Sequence, residues 1–168
     1  MPSSEEPRPL AWIGSIAEVL DRLGIAWVLA GALAADRYRA GPRYTADLDL
    51  LIDWDDGLPA AIAPLGYDVQ TSADPGARPH LLMLRSASER IDLIVAIVEY
   101  QQLALRRGLH DHVLTVEDVI VHKLIAWRLK DRDDIDSILA TGRALDEAYI
   151  AEWATAWDVS DRWAEARA

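Results

Sequence analysis

The segment Tyr44-Thr45-Ala46-Asp47-Leu48-Asp49-Leu50-Leu51-Ile52 combines two demands that pull against each other. Leu48 to Ile52 reads as a buried β-strand, yet two carboxylates stand at its start. Side chains alternate faces along a strand, so Asp47 and Asp49 share one face while Leu48, Leu50 and Ile52 share the other. Like charges on one face repel, and burying them unpaired costs several kcal/mol. A divalent cation between them would remove that penalty, since hard Mg²⁺ prefers carboxylate oxygens. The competing reading places both acids at an exposed strand end.

Composition narrows the setting. A chain of 168 residues, 51% hydrophobic, has the size of one domain with a sizeable core and a small helical appendage. It has no cysteine, which excludes a disulfide framework, a thiolate nucleophile and a Cys-ligated zinc site. No apolar run is long enough to span a bilayer or to act as a leader, so a soluble, cytoplasmic protein without membrane contact is expected. The formal net charge of −11 repels phosphate backbones and disfavours bulk nucleic-acid binding. A nucleic-acid role would need a local basic patch such as Arg37, Arg39 and Arg43, or Arg106 with Arg107. Both groups read equally as solvated faces. Small nucleotides stay compatible with this charge, because a cation screens them locally.

Working outward, residues 1–9 are polar and proline-containing and read as a flexible lead-in. Helical spacing from Leu10 to Leu23 stops at Gly24, and Ile25 to Ala30 is a short buried strand. Gly31 ends it and opens a helix to about Arg39, which Ala40-Gly41-Pro42 breaks. Leu58 to Leu65 predicts a short helix, Tyr67 to Gln70 a brief strand, and Ser72 to Pro79 a loop. His80 to Arg85 and Ile91 to Ile97 predict a strand pair across a polar turn. Gln101 to Gly108 is a short helix or a loop. Thr115 caps a helix running to about Leu129, with Asp118 completing a box-like cap. Further helices are expected over Asp133–Ala140 and from Asp146 toward Trp157, with Ser160 capping a last turn. The expectation is an α/β (α+β) fold with a mixed sheet flanked by helices. It divides into the 1–9 lead-in, a 10–115 core and a 116–168 helical segment packed on that core.

Three features join the two aspartates. Gly31 sits at a strand-to-helix junction, where free N–H groups and the helix dipole suit an anion and a glycine lets a phosphate approach; a simple tight turn explains it as well. Asp92 is an acid at the rim of an apolar strand, or a solvated strand end. If its strand pairs with that of Asp47 and Asp49, three carboxylates converge, enough to hold two Mg²⁺ ions about 4 Å apart. Lys123 falls within the apolar stripe of its helix, between Ile120 and Trp127. Its ammonium must snorkel out or meet an anion, either a nucleotide phosphate or a site aspartate. The four histidines have no zincin spacing. Trp153 and Trp157 mark an apolar stripe that suits core packing or a second subunit, so a homodimer or protein partner could use this helix.

The order Gly31-Ala32, then Asp47-x-Asp49 after Arg43-x-Thr45, then Asp92, resembles the nucleotidyltransferase superfamily related to DNA polymerase β. The downstream run His122 to Asp136, with Lys123-x-x-Ala126 and Arg132-Asp133-x-x-Asp136, is similar to the small bacterial AbiEii/AbiGii-type branch. The resemblance spans about Trp27 to Leu139. It implies a minimal nucleotidyltransferase core in which Asp47, Asp49 and Asp92 hold two Mg²⁺ ions and carry catalysis. An NTP would be the substrate, a nucleoside monophosphate would pass to an acceptor hydroxyl, and pyrophosphate would leave. Gly31, Ala32, Arg43, Thr45 and Lys123 would contact the nucleotide. Ala32 departs from the Ser or second Gly of many members, so a hydroxyl contact to phosphate is missing. Asp133 and Asp136 are expected at a helix start, where the dipole favours acids. The acceptor is a protein, a tRNA or a small molecule; the acidic surface favours a small basic one, and an aminoglycoside-like cation fits the charge. The alternative is a non-catalytic nucleotide binder or toxin–antitoxin partner.

Overall fold

A computed structural model describes residues 13–72 and 76–168. The lead-in over residues 1–9 and the predicted helix start at Leu10 lie outside those residues. Burial follows the sequence pattern. Along β2 (Leu48–Ile52) every residue is buried except Asp49, and along β5 (Arg90–Val95) buried and half-buried positions alternate after an exposed Arg90. With β1 (Trp27–Leu29), β3 (Asp68–Ser72) and β4 (Leu81–Arg85) these strands form one mixed sheet of order β1-β2-β5-β4-β3. Only β2 and β5 run parallel; the other neighbours are antiparallel. The parallel pair needs a crossover, which the β3–β4 hairpin and the helix before it supply.

Register decides what meets what. Leu50 faces Leu93 across the parallel pair and Asp49 faces Asp92. Met83 of β4 lies on the far side of Asp92. Period-two alternation then sends Leu48, Leu50, Ile91 and Leu93, all fully buried, to the other side of the sheet. Each such side chain stabilises by about 1.5–3 kcal/mol relative to an exposed one, so the hydrophobic set locks the acids into register.

Eight helices surround the sheet among the described residues. Helix α1 (Ile13–Leu23) buries Ile16, Val19 and Leu20. Gly24, at φ +68°, then turns the chain into β1. Helix α2 (Gly31–Asp36) follows β1, and α3 (Leu58–Ile62) continues into a 3₁₀ turn at Ala63–Leu65. Residues 101–108, read as helix or loop, belong to α4 (Glu99–Gly108). The exposed edge of β1 is covered by residues 112–114: Leu29 N–H donates to His112 and Leu114 N–H to Leu29, at 2.8 and 3.0 Å.

The expected boundary between the next two helices is corrected. Helix α5 (Val116–Ala126) ends three residues before Leu129, because Trp127 adopts a left-handed conformation at φ 50° and closes the helix. Arg162 of α8 (Ser160–Ala166) donates to the Leu124 and Ile125 carbonyls at 2.8 and 2.9 Å, capping that end with a cation. Helix α6 (Leu129–Leu139) therefore starts earlier than Asp133. Asp133 and Asp136 lie inside it as exposed residues instead of at its first turn. Helix α7 (Glu147–Ala156) is capped by Asp146, whose side chain accepts from Tyr149 N–H. No described helix is long and apolar enough to cross a membrane.

Candidate active site

The parallel pairing of β2 and β5 sets Asp49 directly beside Asp92, and Asp47 precedes β2 by one residue. Behind Asp49 lies Gly31, at φ +60°. A Cβ built on Gly31 would overlap the Asp49 side chain, only 2.7 Å from its Cγ, so glycine is required here for close approach as well as for the turn. Ala30 N–H donates to the Asp49 carbonyl at 2.9 Å and fixes the junction to the strand.

Of these three acids, Asp49 is poorly compensated. Burial, then the charges of Asp92 and Asp47, push the Asp49 carboxyl up to about 6; Lys130 and Lys123 oppose the shift. Asp92 Oδ1 is buried without a well-formed hydrogen bond. Arg85, two residues beyond Met83 on β4, brings Nη2 to 2.7 Å from that oxygen. Arg85 Nη1 is meanwhile held by the Leu84 and Ile91 carbonyls at 3.0 and 3.1 Å. Sequence reading missed Arg85. The signal lay in alternation, since Met83 and Arg85 share the face that Asp92 uses once β4 pairs with β5.

A cavity of about 280 Å³ opens over Gly31, Ala32, Asp47 and Asp49. Its second wall comes from α5 and α6 through Lys123, Arg128, Lys130 and Asp131, and Arg43 and Thr45 also line it. The far end is aromatic, with Tyr100, His122 and Trp157. Trp153 packs on Tyr100 at 4.7 Å between ring centroids, whereas Trp157 remains 36% exposed at the cavity. Burial, then the neighbouring Lys123 charge, carries His122 down to about 4 despite an opposing pull from Asp118, so its ring is neutral near pH 7. Asp92 contributes no cavity lining, unlike the other predicted site residues.

The predicted nucleotide contacts Lys123 and Arg43 are already engaged. Lys123 is 5% exposed, and its ammonium lies 2.6 Å from Asp134 and 3.5 Å from Asp131. Arg43 forks onto Asp134, with Nε and Nη2 each 3.1 Å from a carboxylate oxygen. Arg39 adds a third cation at 3.0 Å. Arg128 closes on Asp131 at 2.7 Å. Burial raises the Asp131 and Asp134 carboxyls, but hydrogen bonds from Arg128 to the first, and from Arg43 and Lys123 to the second, leave both below the ordinary range. The helical spacing of Asp131 and Asp134, one turn apart, was the available signal. Thr45 exchanges long 3.4 Å contacts with the Asp47 backbone and steadies the approach to β2.

A third buried carboxylate, Asp118, is held by side chains from the surrounding helices. It accepts from Tyr149, Tyr100, Arg107 and Thr115, joining α4, α5 and α7 behind the cavity.

Carboxylate oxygens suit a hard divalent ion, and the crowding of Asp47, Asp49 and Asp92 is the kind of repulsion such an ion relieves. Among the described residues, however, no group of three or more His, Asp or Glu side chains is gathered tightly enough to hold a metal. The fit is thus one of donor chemistry and position, with Arg85 drawing Asp92 aside.

No family model and no curated protein matches the sequence. Among solved structures, the chain is similar to ANT(2″)-Ia in complex with adenylyl-2″-tobramycin, with a TM-score of 0.62 and 16% identity over 92% of this chain and 98% of that one. A solution structure of the antibiotic-resistance factor ANT(2″)-Ia gives a TM-score of 0.61 and 17% identity, covering 93% of both chains. The likeness runs through almost the full length of both proteins and establishes a shared fold.

Proposed function

We propose that this chain is a Mg²⁺-dependent nucleotidyltransferase that moves a nucleoside monophosphate from an NTP to a hydroxyl of a small, polycationic acceptor of the aminoglycoside class. The observation that carries the reading is the in-register pair Asp49 and Asp92, with Asp47 beside it, next to a cavity whose opposite wall is cationic. The fold shared with a protein bound to adenylyl-2″-tobramycin supports it, as does a net charge of −11, which attracts a cationic acceptor.

In this reading residues 10–115 form the catalytic core and 116–168 the wall that completes the cavity. Two Mg²⁺ ions held by Asp47 and Asp49, with Asp92 as third acid, would screen the phosphates and increase the electrophilicity of the α-phosphorus. The chain's own groups orient the reactants. The acceptor oxygen forms a bond to the α-phosphorus as the bond to the β-phosphate oxygen breaks, and pyrophosphate departs. Asp92 takes the acceptor proton once its carboxylate is turned from Arg85 toward the reacting oxygen. Positioning and charge neutralisation supply most of the catalysis.

The test is a thermal-shift series with each of the four NTPs and Mg²⁺, followed by mass spectrometry of tobramycin incubated with protein and the best NTP. The expected result is a raised melting temperature and a tobramycin adduct heavier by one nucleoside monophosphate. No shift with any NTP would overturn the reading. A shift with no transfer to tobramycin, lysate protein, RNA or small molecules would favour the non-catalytic binder, which Ala32 and the Arg85 contact to Asp92 make the second reading.

A further inference from the structure

Arg128 and Lys130, on the elbow between α5 and α6, are the cavity cations least committed to the buried ion cluster. Lys130 is exposed and forms no ion pair with a described carboxylate. It lines the same cavity as Asp49. Arg128 uses Nε and Nη2 on Asp131, yet its side chain remains 62% exposed, and it lines that cavity too. The left-handed Trp127 turns the chain so that both residues flanking Leu129 face the cavity while Leu129 itself is 74% exposed.

The opposite candidate for holding phosphate is weaker. The Gly31–Ala32 turn offers no hydroxyl, and the space over Gly31 is filled by the Asp49 carboxylate, an anion. Helix α2 has only six residues and no side-chain cap. Lys123 and Arg43 are taken by Asp134.

Resting on the nucleotidyl-transfer reading, we infer that the terminal phosphates of the nucleotide are gripped by the Arg128–Lys130 elbow and not by the Gly31–Ala32 turn. The triphosphate then lies across the cavity, its α-phosphate toward Asp49 and its β- and γ-phosphates toward α6. Arg128 supplies a planar donor fork braced by Asp131, and Lys130 a mobile point charge. The ligand class recognised by the elbow is a di- or triphosphate ester; a monophosphate is too short to engage it.

Calorimetric titration of wild type and Lys130→Met with ATP and with AMP, at fixed Mg²⁺, tests the assignment. Lys130 is exposed, so its replacement leaves the fold intact. The expected result is a loss in ATP affinity of about tenfold, as for one charged phosphate contact, with AMP affinity within twofold of wild type. Unchanged ATP affinity in Lys130→Met would overturn the inference while leaving the transferase reading standing. An equal loss for ATP and AMP would also overturn it, by placing Lys130 at the α-phosphate or base. Absence of ATP binding by the wild-type protein would instead remove the transferase reading, and the inference with it.

Discussion

Two groups of aspartates reach one cavity through Asp47 and Asp49 and through Asp131, with Asp92 and Asp134 set back from its lining, and they have been treated oppositely. Asp131 and Asp134 are almost fully buried, yet Arg39, Arg43, Lys123 and Arg128 surround them and hold their carboxyls low. Asp47, Asp49 and Asp92 are more accessible, yet Asp49 is pushed up to about 6 by burial and by its own neighbours. Burial alone therefore does not separate structure from function. The supply of fixed counter-charge does: the first cluster is complete as it stands, whereas the second, in the proposed function, would take a cation from solution.

The strongest test of that contrast removes one member from each cluster. Asp134→Ala takes the nearest carboxylate from buried Lys123, leaving it Asp131 at 3.5 Å, and from half-buried Arg43, and is expected to lower stability by about 3–5 kcal/mol, read as a reduced urea midpoint. Asp49→Asn is expected to act the other way on the nucleotide-free protein, leaving its urea midpoint equal or higher because a repulsion has gone. The same substitution should abolish the NTP-dependent thermal shift and cut transfer by at least about 100-fold, since charge stabilisation at the reacting phosphate is lost. An Asp134 variant as stable as wild type, or an Asp49 variant clearly less stable, would dissolve the distinction.

A pH series sharpens it further. A carboxyl whose folded pKa lies above its unfolded value contributes stability that is full below the unfolded pKa and is lost as pH rises through the folded one. For Asp49 the loss is complete above about 6. Asp131 and Asp134 have the opposite sign: their contribution is present above the unfolded carboxylate range and falls away as acid protonates them. His122, lowered to about 4, also loses its contribution on acidification between its unfolded value and 4. Subtracting the Asp49→Asn profile isolates the first effect: wild type should gain on the variant as pH drops from 7 to 5. A constant difference would show that Asp49 is not crowded.

The smallest expected effect belongs to Arg85→Gln. Its ion pair with Asp92 is about a third exposed on the arginine side, so stability should fall by less than about 1 kcal/mol. Mg²⁺ titration of the same variant should show tighter binding by a few-fold, since a competing cation has been taken from Asp92. Weaker Mg²⁺ binding would make Arg85 a support for the site instead of a competitor.

The acidic site was legible because strand chemistry is local. Alternation placed Asp47 and Asp49 on one face, and the apolar neighbours of Asp92 marked its strand as one to pair beside them. Gly31 was visible as a junction, although its closeness to Asp49 was not, because that contact depends on tertiary packing. The reading of Lys123 was half legible: its place in an apolar stripe left either snorkelling or an anion, and the structure supplies an anion, Asp134. That partner was hidden because Trp127 breaks the helix early and shifts the phase of everything after it, which brings Asp131 and Asp134 inward and leaves Asp133 and Asp136 in solvent. Nothing in the residue identity of a tryptophan announces a left-handed turn. Arg85 escaped notice because its role depends on cross-strand register.

Where Arg85 resides in the chain has a bearing on how the sheet assembles. Strands β4 and β5 form a local hairpin, joined by four residues, so Asp92 is delivered to the sheet with its counter-charge already on the neighbouring strand. The pairing of β2 with β5 is the distant step, linking positions 49 and 92, and it is the step that forces like charges together. A hairpin that carries its own screening cation lowers the repulsion met at that moment. Stopped-flow refolding of Arg85→Gln should therefore show its small stability loss mainly as slower folding, with the unfolding rate nearly unchanged. The arginine that would compete with a metal in the finished protein would be the one that eases the acids together as the chain folds.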